Sequence, residues 1–480
     1  MKQSILLFIF LLILTSFLTY YKVLDFAFTG DMFLFFAEYG KASLGKMLTS
    51  PLFPSYFPKL YYRPVMYLSH HSTFKLFGLD PFGYHFIILI MHALNSILLF
   101  VFCLLLTKKE YVSLLAGLLF IIHPINIYVI QNAGFLSTTL GFTFFILSLI
   151  TFVLFDKTMK LRFLVFSIIF SIISLGIHEI FMVIPVIFLL YVIFLSKHGL
   201  KRRLVYFFPF LVILPLYMLL RFQILGQFGA TREASNWQHN MFYITSEFFT
   251  WLIYPVNFLN INLRELSLVF FKSNYWIPLI FVFGLSSLYT ARKLKFFSKK
   301  IYIFLLIGLL VFLLGFNFGK TLRIRHLYTP LMFFSTLFSI SFFHIIERIK
   351  VKPSYILILS VYLILLLTFV RFSFIFNNDT ATKADKINWL VLNTFSSMDV
   401  EPNSTIYVKN LPLAVTDSKT SLEFMLQTSG SDKAFFDLTS ENVDVETVSY
   451  MTFTDSVGNV TSEIEKLEEG YIVTFYEQGS

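Results

Sequence analysis

Apolar runs of about 20 residues, the length a bilayer core demands, recur along the first 370 positions. They predict membrane-crossing helices at 4–20, 86–106, 112–130, 138–155, 161–177, 180–195, 204–220, 275–290, 301–316, 327–345 and 355–370, eleven in all. The first follows a single Lys2 with no small-x-small cleavage pattern before Asp25, and reads as a retained span rather than a removed signal peptide. Most links between spans are short. The longest is the segment 22–85, and loops longer than about 15 residues are usually functional or disordered. Its aromatic content argues against disorder.

The segment 237–263 is apolar, yet broken by Glu247, Pro255 and several Asn. Charge decides its reading. If it does not cross, the clusters Lys108/Lys109, Lys157/Lys160/Arg162, Lys197/Lys201/Arg202/Arg203, Arg292/Lys293/Lys295/Lys299/Lys300 and Arg348/Lys350/Lys352 all share one face, as the positive-inside rule requires. The segment is therefore expected to lie amphipathic or re-entrant on the outer face. The long first loop, the links holding His178/Glu179 and 317–326, and the tail would face outward too.

Composition fits this pattern: 480 residues, 57% hydrophobic, 14% charged, mean hydropathy +0.74. Such a chain is a polytopic α-helical membrane protein. The net charge of +10 hides a split, because residues 379–480 carry 17 Asp and Glu against 6 Lys and Arg while the remainder carries 11 acids against 32 bases. The basic excess belongs to cytoplasmic loops and does not point to nucleic acid. The tail reads as a small acidic, extracytoplasmic α/β domain with helices at 382–397 and 422–427 and strands at 405–408, 447–454 and 471–476. Two domains are expected, 1–371 in the membrane and 372–480 outside it. Cys103 is the only cysteine, which excludes an internal disulfide and a cysteine zinc site.

Candidate chemistry lies on the outward loops. Asp31, just beyond the first span among aromatic residues, could deprotonate a hydroxyl acceptor; a solvated loop acid is the plainer reading. Lys320, Arg323, Arg325 and His326 in "GKTLRIRHLYTP" run against the topological bias, and a lipid phosphate or diphosphate would account for them; headgroup contact is the alternative. Arg63 and Arg221 sit on the same face and could join that anion site. His178 and Glu179 occupy a turn so short that both stand at the membrane boundary, where ionisable groups are costly and often functional; a cap or a mutual ion pair is the duller reading. His70, His71, His85, His92 and His123 show no metal-ligand spacing.

"YYRPV", "LFGLDPFGYHFIILIMHALNSILLF", "HPINIYVIQNAGF", "LGIHEIFMVIPVIFLLY" and "RIRHLYTPLMFF", in this order, resemble the bacterial polytopic GT-C glycosyltransferases related to the protein O-mannosyltransferases and the TMTC mannosyltransferases. The resemblance spans Asp31 to Phe334. It implies a GT-C-like membrane domain and an inverting, hexosyl- or mannosyl-type transferase of the bacterial cytoplasmic membrane, using a polyprenyl-phosphate sugar donor and a protein, glycan or lipid hydroxyl acceptor. It also implies a catalytic carboxylate in the first outer loop, where Asp31 matches, with Glu38 or Asp25, and His178 and Glu179, as helpers. The family has an acidic pair there, whereas this chain has Gly30, Asp31 and Met32; a divalent cation is kept open as a cofactor without an assigned ligand set. The family's Lys-Glu turn is here His178-Glu179, and its charged stretch after His-Pro is the uncharged 132–137. The motif around Arg325, His326 and Tyr328 survives, which favours binding of the donor phosphate. A lipid-binding scaffold without transfer, or a lipid-linked glycan transporter, is the alternative class.

Overall fold

The computed structural model describes residues 2–28, 32, 43–51, 61–78, 80–123, 125–226, 296–315, 324–349, 390, 393–394 and 397–398, and the strands of the tail given below. The expected spans 275–290 and 355–370 and the segment 237–263 lie outside these residues. The chain divides into two compact units: Met1–Tyr21, Ile88–Ile130 and Ser137–Thr368 form one, and Lys22–Ile87, Gln131–Leu136 and Phe369–Ser480 the other.

The first unit is helical. Among the described residues, four helices are long and apolar enough to cross a membrane, Gln3–Asp25, Pro81–Thr107, Ala133–Thr158 and Leu204–Leu225, accompanied by the shorter apolar helices Glu110–Ile122, Leu161–Ile177, Glu179–Phe194 and Leu331–His344. The chain is thus a polytopic helical membrane protein. The Leu136–Thr158 helix is central, with 72% of its apolar window buried, whereas that of Leu204–Leu225 is 17% buried and presents Phe208, Leu211, Leu216 and Leu219 outward. Such faces suit lipid, which solvates Leu as well as a protein core does.

Tight turns join neighbouring helices. Pro81–Thr107 meets Glu110–Ile122 through Lys108 (φ 58°), and Leu136–Thr158 meets Leu161–Ile177 through Met159 (φ 57°). In each the left-handed residue donates its N–H back to the helix it leaves, to Leu104 O at 2.9 Å and to Phe155 O at 2.7 Å, which satisfies a terminal carbonyl. Small polar side chains clasp the second pair. Ser148 and Ser167 exchange hydroxyl-to-carbonyl bonds of 2.8 Å, and Ser171 Oγ stands 2.6 Å from Ser148 Oγ. Beyond them Phe188 stacks on Phe210 at 4.1 Å, with Phe152 edge-on to Phe188 at 4.6 Å.

Three expected spans begin or end differently. The run 112–130 is helical over Glu110–Ile122, leaves the helix at His123 and is helical again over the six residues Ile125–Ile130, with Pro124 between them in the sequence. Proline has no N–H to donate and its ring clashes with the preceding turn, while His123 Nδ1 accepts the Ile125 N–H at 3.3 Å. The run 180–195 opens as a 3-10 turn, Glu179–Val183, before the helix Ile184–Phe194, and the run 327–345 opens with the 3-10 turn Ile324–Tyr328 before Leu331–Ile349. Pro185 and Pro330 stand at those junctions.

In the second unit the long loop carries two helices. Leu44–Thr49 starts at Ser43, whose side chain caps Lys46 N, and Pro64–Phe77 starts on a proline and ends at Gly78 (φ 55°). Tyr62 Oη donates to Leu48 O at 2.9 Å, and Tyr84 Oη donates to Gly78 O at 2.9 Å while its ring meets Phe28 edge-on at 5.1 Å. His70 is fully buried on Pro64–Phe77, and burial pushes its imidazole down to about 3. The Pro81–Thr107 helix begins five residues before the expected start, because Asp80 Oδ1 accepts the Phe82 N–H at 3.0 Å and Pro81 suits a first helical position.

The described tail strands are β1 (Thr405–Lys409), β2 (Leu411–Leu413), β3 (Asp444–Thr447), β4 (Tyr450–Thr452), β5 (Val460–Leu467) and β6 (Gly470–Glu477). Four form a sheet of order β3-β1-β6-β5 in which β1 is parallel to β3 and β6, and β5 is antiparallel to β6; β2 and β4 form a separate parallel pair. Tyr471, Val473 and Phe475 alternate into the buried face beside Ile406. Sequence reading missed β2 and β5. The expected helix 422–427 lies outside the described residues, and of 382–397 only 390, 393–394 and 397 are described.

Candidate functional site

The site in the first unit is built on a buried polar knot. His92 and Asn95 lie one turn apart on the Pro81–Thr107 helix and both are fully buried. His92 Nε2 stands 3.3 Å from Ile121 O and Nδ1 stands 2.8 Å from Tyr328 Oη. A carbonyl only accepts, so Nε2 carries the proton and Nδ1 receives the Tyr328 O–H. Asn95 Nδ2 donates to Thr139 O at 2.9 Å and to Tyr328 Oη at 3.1 Å, and Asn95 Oδ1 accepts from Thr143 Oγ1 at 2.6 Å. Tyr20 Oη donates to Ile121 O at 2.7 Å. Every polar atom of the His92 and Asn95 side chains and the Tyr328 hydroxyl is thereby satisfied, as an apolar interior requires. Phe120 and Phe142 close over the Tyr328 ring, edge-on at 5.1 and 5.4 Å.

The knot fixes the turn Ile324–Tyr328 through its last residue. Arg325 and His326, three and two residues earlier, line a pocket of about 220 Å³, counting its open mouth, together with Thr138, His178, Ile180, Phe181 and Thr329. The His178 and His326 rings meet edge-on with centroids 5.7 Å apart. His178 ends the Leu161–Ile177 helix, its N–H donating to Ser174 O at 3.2 Å, and its Nδ1 accepts the Ile180 N–H at 3.2 Å. Neutral His178 is therefore the Nε2–H tautomer. Glu179 Oε2 lies 3.8 Å from the same Nδ1.

This turn is pressed onto the central helix at Gly141. A Cβ there would stand 2.6 Å from Phe181 Cε2 and 3.2 Å from Ile177 Cγ2, so only glycine permits the approach, and Ser174 Oγ donates to Gly141 O at 2.9 Å. Below the pocket, Phe181 also borders an apolar cleft lined by Leu175, Pro185, Phe210 and Ile213.

Of the residues expected from sequence, Arg325, His326 and His178 come together, with Glu179 beside His178. Arg63 belongs to the second unit, where its guanidinium lies over the Tyr61 ring at 4.4 Å. Arg221 is buried within the Leu200–Leu225 helix. Asp31, Glu38, Lys320 and Arg323 lie outside the described residues. Among the described residues no three His, Cys, Asp or Glu gather as a metal-ligand set. Sequence reading missed the pairing of His92 and Asn95 with Tyr328. The signal was present, for a histidine and an asparagine one turn apart within an apolar span are costly unless they bond to each other or to a partner.

No family model matches the sequence, and no curated protein matches it. Among solved structures, ArnT from Cupriavidus metallidurans, bound to undecaprenyl phosphate, superposes with a TM-score of 0.52 at 12% identity over 100% of this chain and 99% of that one. Two structures of the oligosaccharyltransferase of Archaeoglobus fulgidus are also similar at 12% identity. One, in complex with zinc and sulfate, has a TM-score of 0.49 over 92% of this chain and 62% of that one; the other, AglB with an inhibitory peptide and a dolichol-phosphate, has 0.47 over 90% and 64%. The fold assignment rests on the first, which matches end to end: the chain shares the GT-C fold of ArnT.

Proposed function

We propose that the protein transfers a sugar from a polyprenyl-phosphate donor to a hydroxyl acceptor, on a protein or on a surface glycan or lipid, at the outer face of a bacterial cytoplasmic membrane. The observation that carries this reading is the pocket in which Arg325, His326 and His178 converge on a GT-C scaffold, since ArnT, which shares the fold, was captured with undecaprenyl phosphate. In this reading the Arg325 guanidinium holds the phosphate through charge-assisted hydrogen bonds. The carboxylate of Asp31 takes the acceptor's proton as its oxygen bonds to sugar C1; the C1–O bond to phosphate breaks, the electron pair leaves with the polyprenyl phosphate, and the anomeric centre inverts. Glu38 would support Asp31, while Lys320 and Arg323 would add positive charge around the phosphate. Eleven spans would form the membrane domain 1–371, and the acidic domain 372–480 would receive the acceptor.

A lipid-binding scaffold is the second reading, favoured by the uncharged 132–137 turn, where Asn132 Oδ1 merely caps Gly134 N at 2.9 Å. Transfer from a polyprenyl-phosphate sugar and binding of undecaprenyl phosphate, measured on Asp31→Asn and Arg325→Ala, separate the two. A transferase should lose about 100-fold or more in turnover with Asp31→Asn while still binding lipid, and Arg325→Ala should lose both. Lipid binding without turnover in the unaltered protein would establish the scaffold, and undiminished binding by Arg325→Ala would overturn the phosphate seat.

A further inference from the structure

We propose that the end of the helical unit remote from the Arg325 pocket binds an acidic phospholipid, whose headgroup phosphate sits among Lys108, Lys157 and Lys197. Thr138 lines the Arg325 pocket, and Lys157 lies near the other end of the same 23-residue helix, about 30 Å away. The two sites are separate, and this one does not rest on the donor-phosphate reading.

Asp156 gathers the chain there. Its Oδ1 accepts from Ser196 Oγ at 2.6 Å, its Oδ2 from Tyr191 Oη at 3.4 Å, and its backbone O from His198 Nε2 at 2.8 Å. One residue thereby ties the end of Ile184–Phe194, and the turn after it, to the end of Leu136–Thr158. Lys157, next in the chain, donates from Nζ to Leu105 O in the last turn of Pro81–Thr107, which brings in the left-handed turn at Lys108. Lys108, Lys157 and Lys197 are all exposed, and the charges of Lys108 and Lys197 both act on the Lys157 ammonium. An ammonium carries three N–H donors, so the bond to Leu105 does not exhaust it.

The charge at this end exceeds what helix termini use. Residues 105–112, 154–163 and 195–203 hold nine Lys and Arg against two acids, Glu110 and Asp156, and Glu110 already accepts from Ser4 Oγ at 2.9 Å. Cations suit the ends of helices. Arg162, Lys201 and Arg202, however, stand in the first turns of Leu161–Ile177 and Leu200–Leu225, where no acid accompanies them and the helix dipole opposes positive charge. An external anion offsets that opposition. The positive-inside rule accounts for the number of bases on this face but not for their gathering around one carboxylate. Apolar surface beside the lysines selects a lipid over a soluble anion: Met159, Leu161, Ile193 and Leu204 are exposed at the same helix ends, so a headgroup held by the lysines lays its acyl chains on protein.

The test uses the full chain in a non-ionic detergent, titrated with dioleoylphosphatidylglycerol or dioleoylphosphatidylcholine and read by native mass spectrometry as lipid retained. Phosphatidylglycerol should bind at least about tenfold more tightly than phosphatidylcholine, and Lys108→Gln, Lys157→Gln and Lys197→Gln should each weaken it about three- to fivefold. Asp156→Ala is the deciding variant. It raises the net charge by one, so a diffuse basic face would hold phosphatidylglycerol more tightly, whereas dispersal of the gathered lysines weakens it. Ser196→Ala breaks the 2.6 Å bond without changing charge and should weaken binding in the same direction, which decides the matter if Asp156→Ala does not fold. Equal affinity for the two lipids, or binding undiminished in the lysine variants or in Ser196→Ala, would overturn the proposal. Displacement of phosphatidylglycerol by millimolar inorganic phosphate would overturn it too, by revealing a soluble-anion site.

Discussion

Tyr328→Phe isolates the knot that holds the pocket, because it deletes one oxygen and leaves the ring between Phe120 and Phe142. The loss strands two groups at once: His92 Nδ1 loses its donor, at 2.8 Å, and one Asn95 N–H loses its acceptor, at 3.1 Å. Both residues are fully buried, so water cannot replace the missing partner. An orphaned buried polar group costs about 1–3 kcal/mol, while inter-helix hydrogen bonds measured in membranes average about 0.6 kcal/mol and reach about 1.7. Two orphans without an alternative partner place the prediction at the upper end of the membrane scale, about 2–3 kcal/mol in total. At about 2–4 °C per kcal/mol for domains of some 200 residues, thermal unfolding in detergent at one scan rate should fall by roughly 4–12 °C. Undecaprenyl phosphate binding should weaken with it, since the knot anchors the turn that carries Arg325 and His326. A double-mutant cycle with His92→Leu should show coupling of about 1 kcal/mol or more, because both changes break one bond. Unfolding within about 1 °C of the unaltered protein, or additive effects in the cycle, would refute the claim that these residues act as one unit.

Three further outcomes are expected. Gly141→Ala should overpack the central helix against Phe181 and cost about 1–3 kcal/mol, read as a lower melting temperature together with weaker lipid binding; unchanged values would show that the turn yields freely. Gly470→Ala would set a Cβ 2.1 Å from Thr405 O, so amide exchange across β1 and β6 in the full chain should accelerate at least tenfold, and unchanged protection would contradict the pairing. His70 is buried and its folded-state value is lowered to about 3, so the unfolded chain binds the proton more readily. The stability it supports is whole above about pH 6.5 and is lost at about 1.4 kcal/mol per pH unit as pH falls from 6.5 toward 3. Amide exchange over Pro64–Phe77 should quicken between pH 7 and 5 after correction for intrinsic rates, and His70→Phe should remove that dependence.

Hydrophobic runs made the helices legible wherever length and apolar content agree, as at Pro81–Thr107 and Leu161–Ile177. They failed at His123-Pro124, Pro185 and Pro330, where an apolar side chain sequence continues across a backbone that proline interrupts. The cluster Arg325, His326 and His178 was legible as separate oddities of charge, but not as one pocket. What joins them is Gly141, whose missing side chain admits Phe181, together with a hydrogen-bonded knot whose members are separated by 236 positions between His92 and Tyr328. In the tail, β5 escaped notice because Glu463, Glu465 and Lys466 make it read as a polar linker, whereas its antiparallel pairing with β6 needs only one sheltered face.

The helix Glu110–Ile122 has 13 residues and so spans about 20 Å, against a hydrocarbon thickness of about 30 Å. The shortfall falls at its His123 end, where Ile125 and Asn126 are fully buried; irregular backbone at bilayer depth survives only where protein encloses it. The Ile125–Ile130 helix packs on the turn Ile324–Tyr328, so Arg325 and His326 share that depth. Nine of the 13 residues of the short helix are buried, so neighbouring polypeptide rather than lipid makes up the missing length, and a polar recess beside Arg325 needs no deformation of the bilayer to exist.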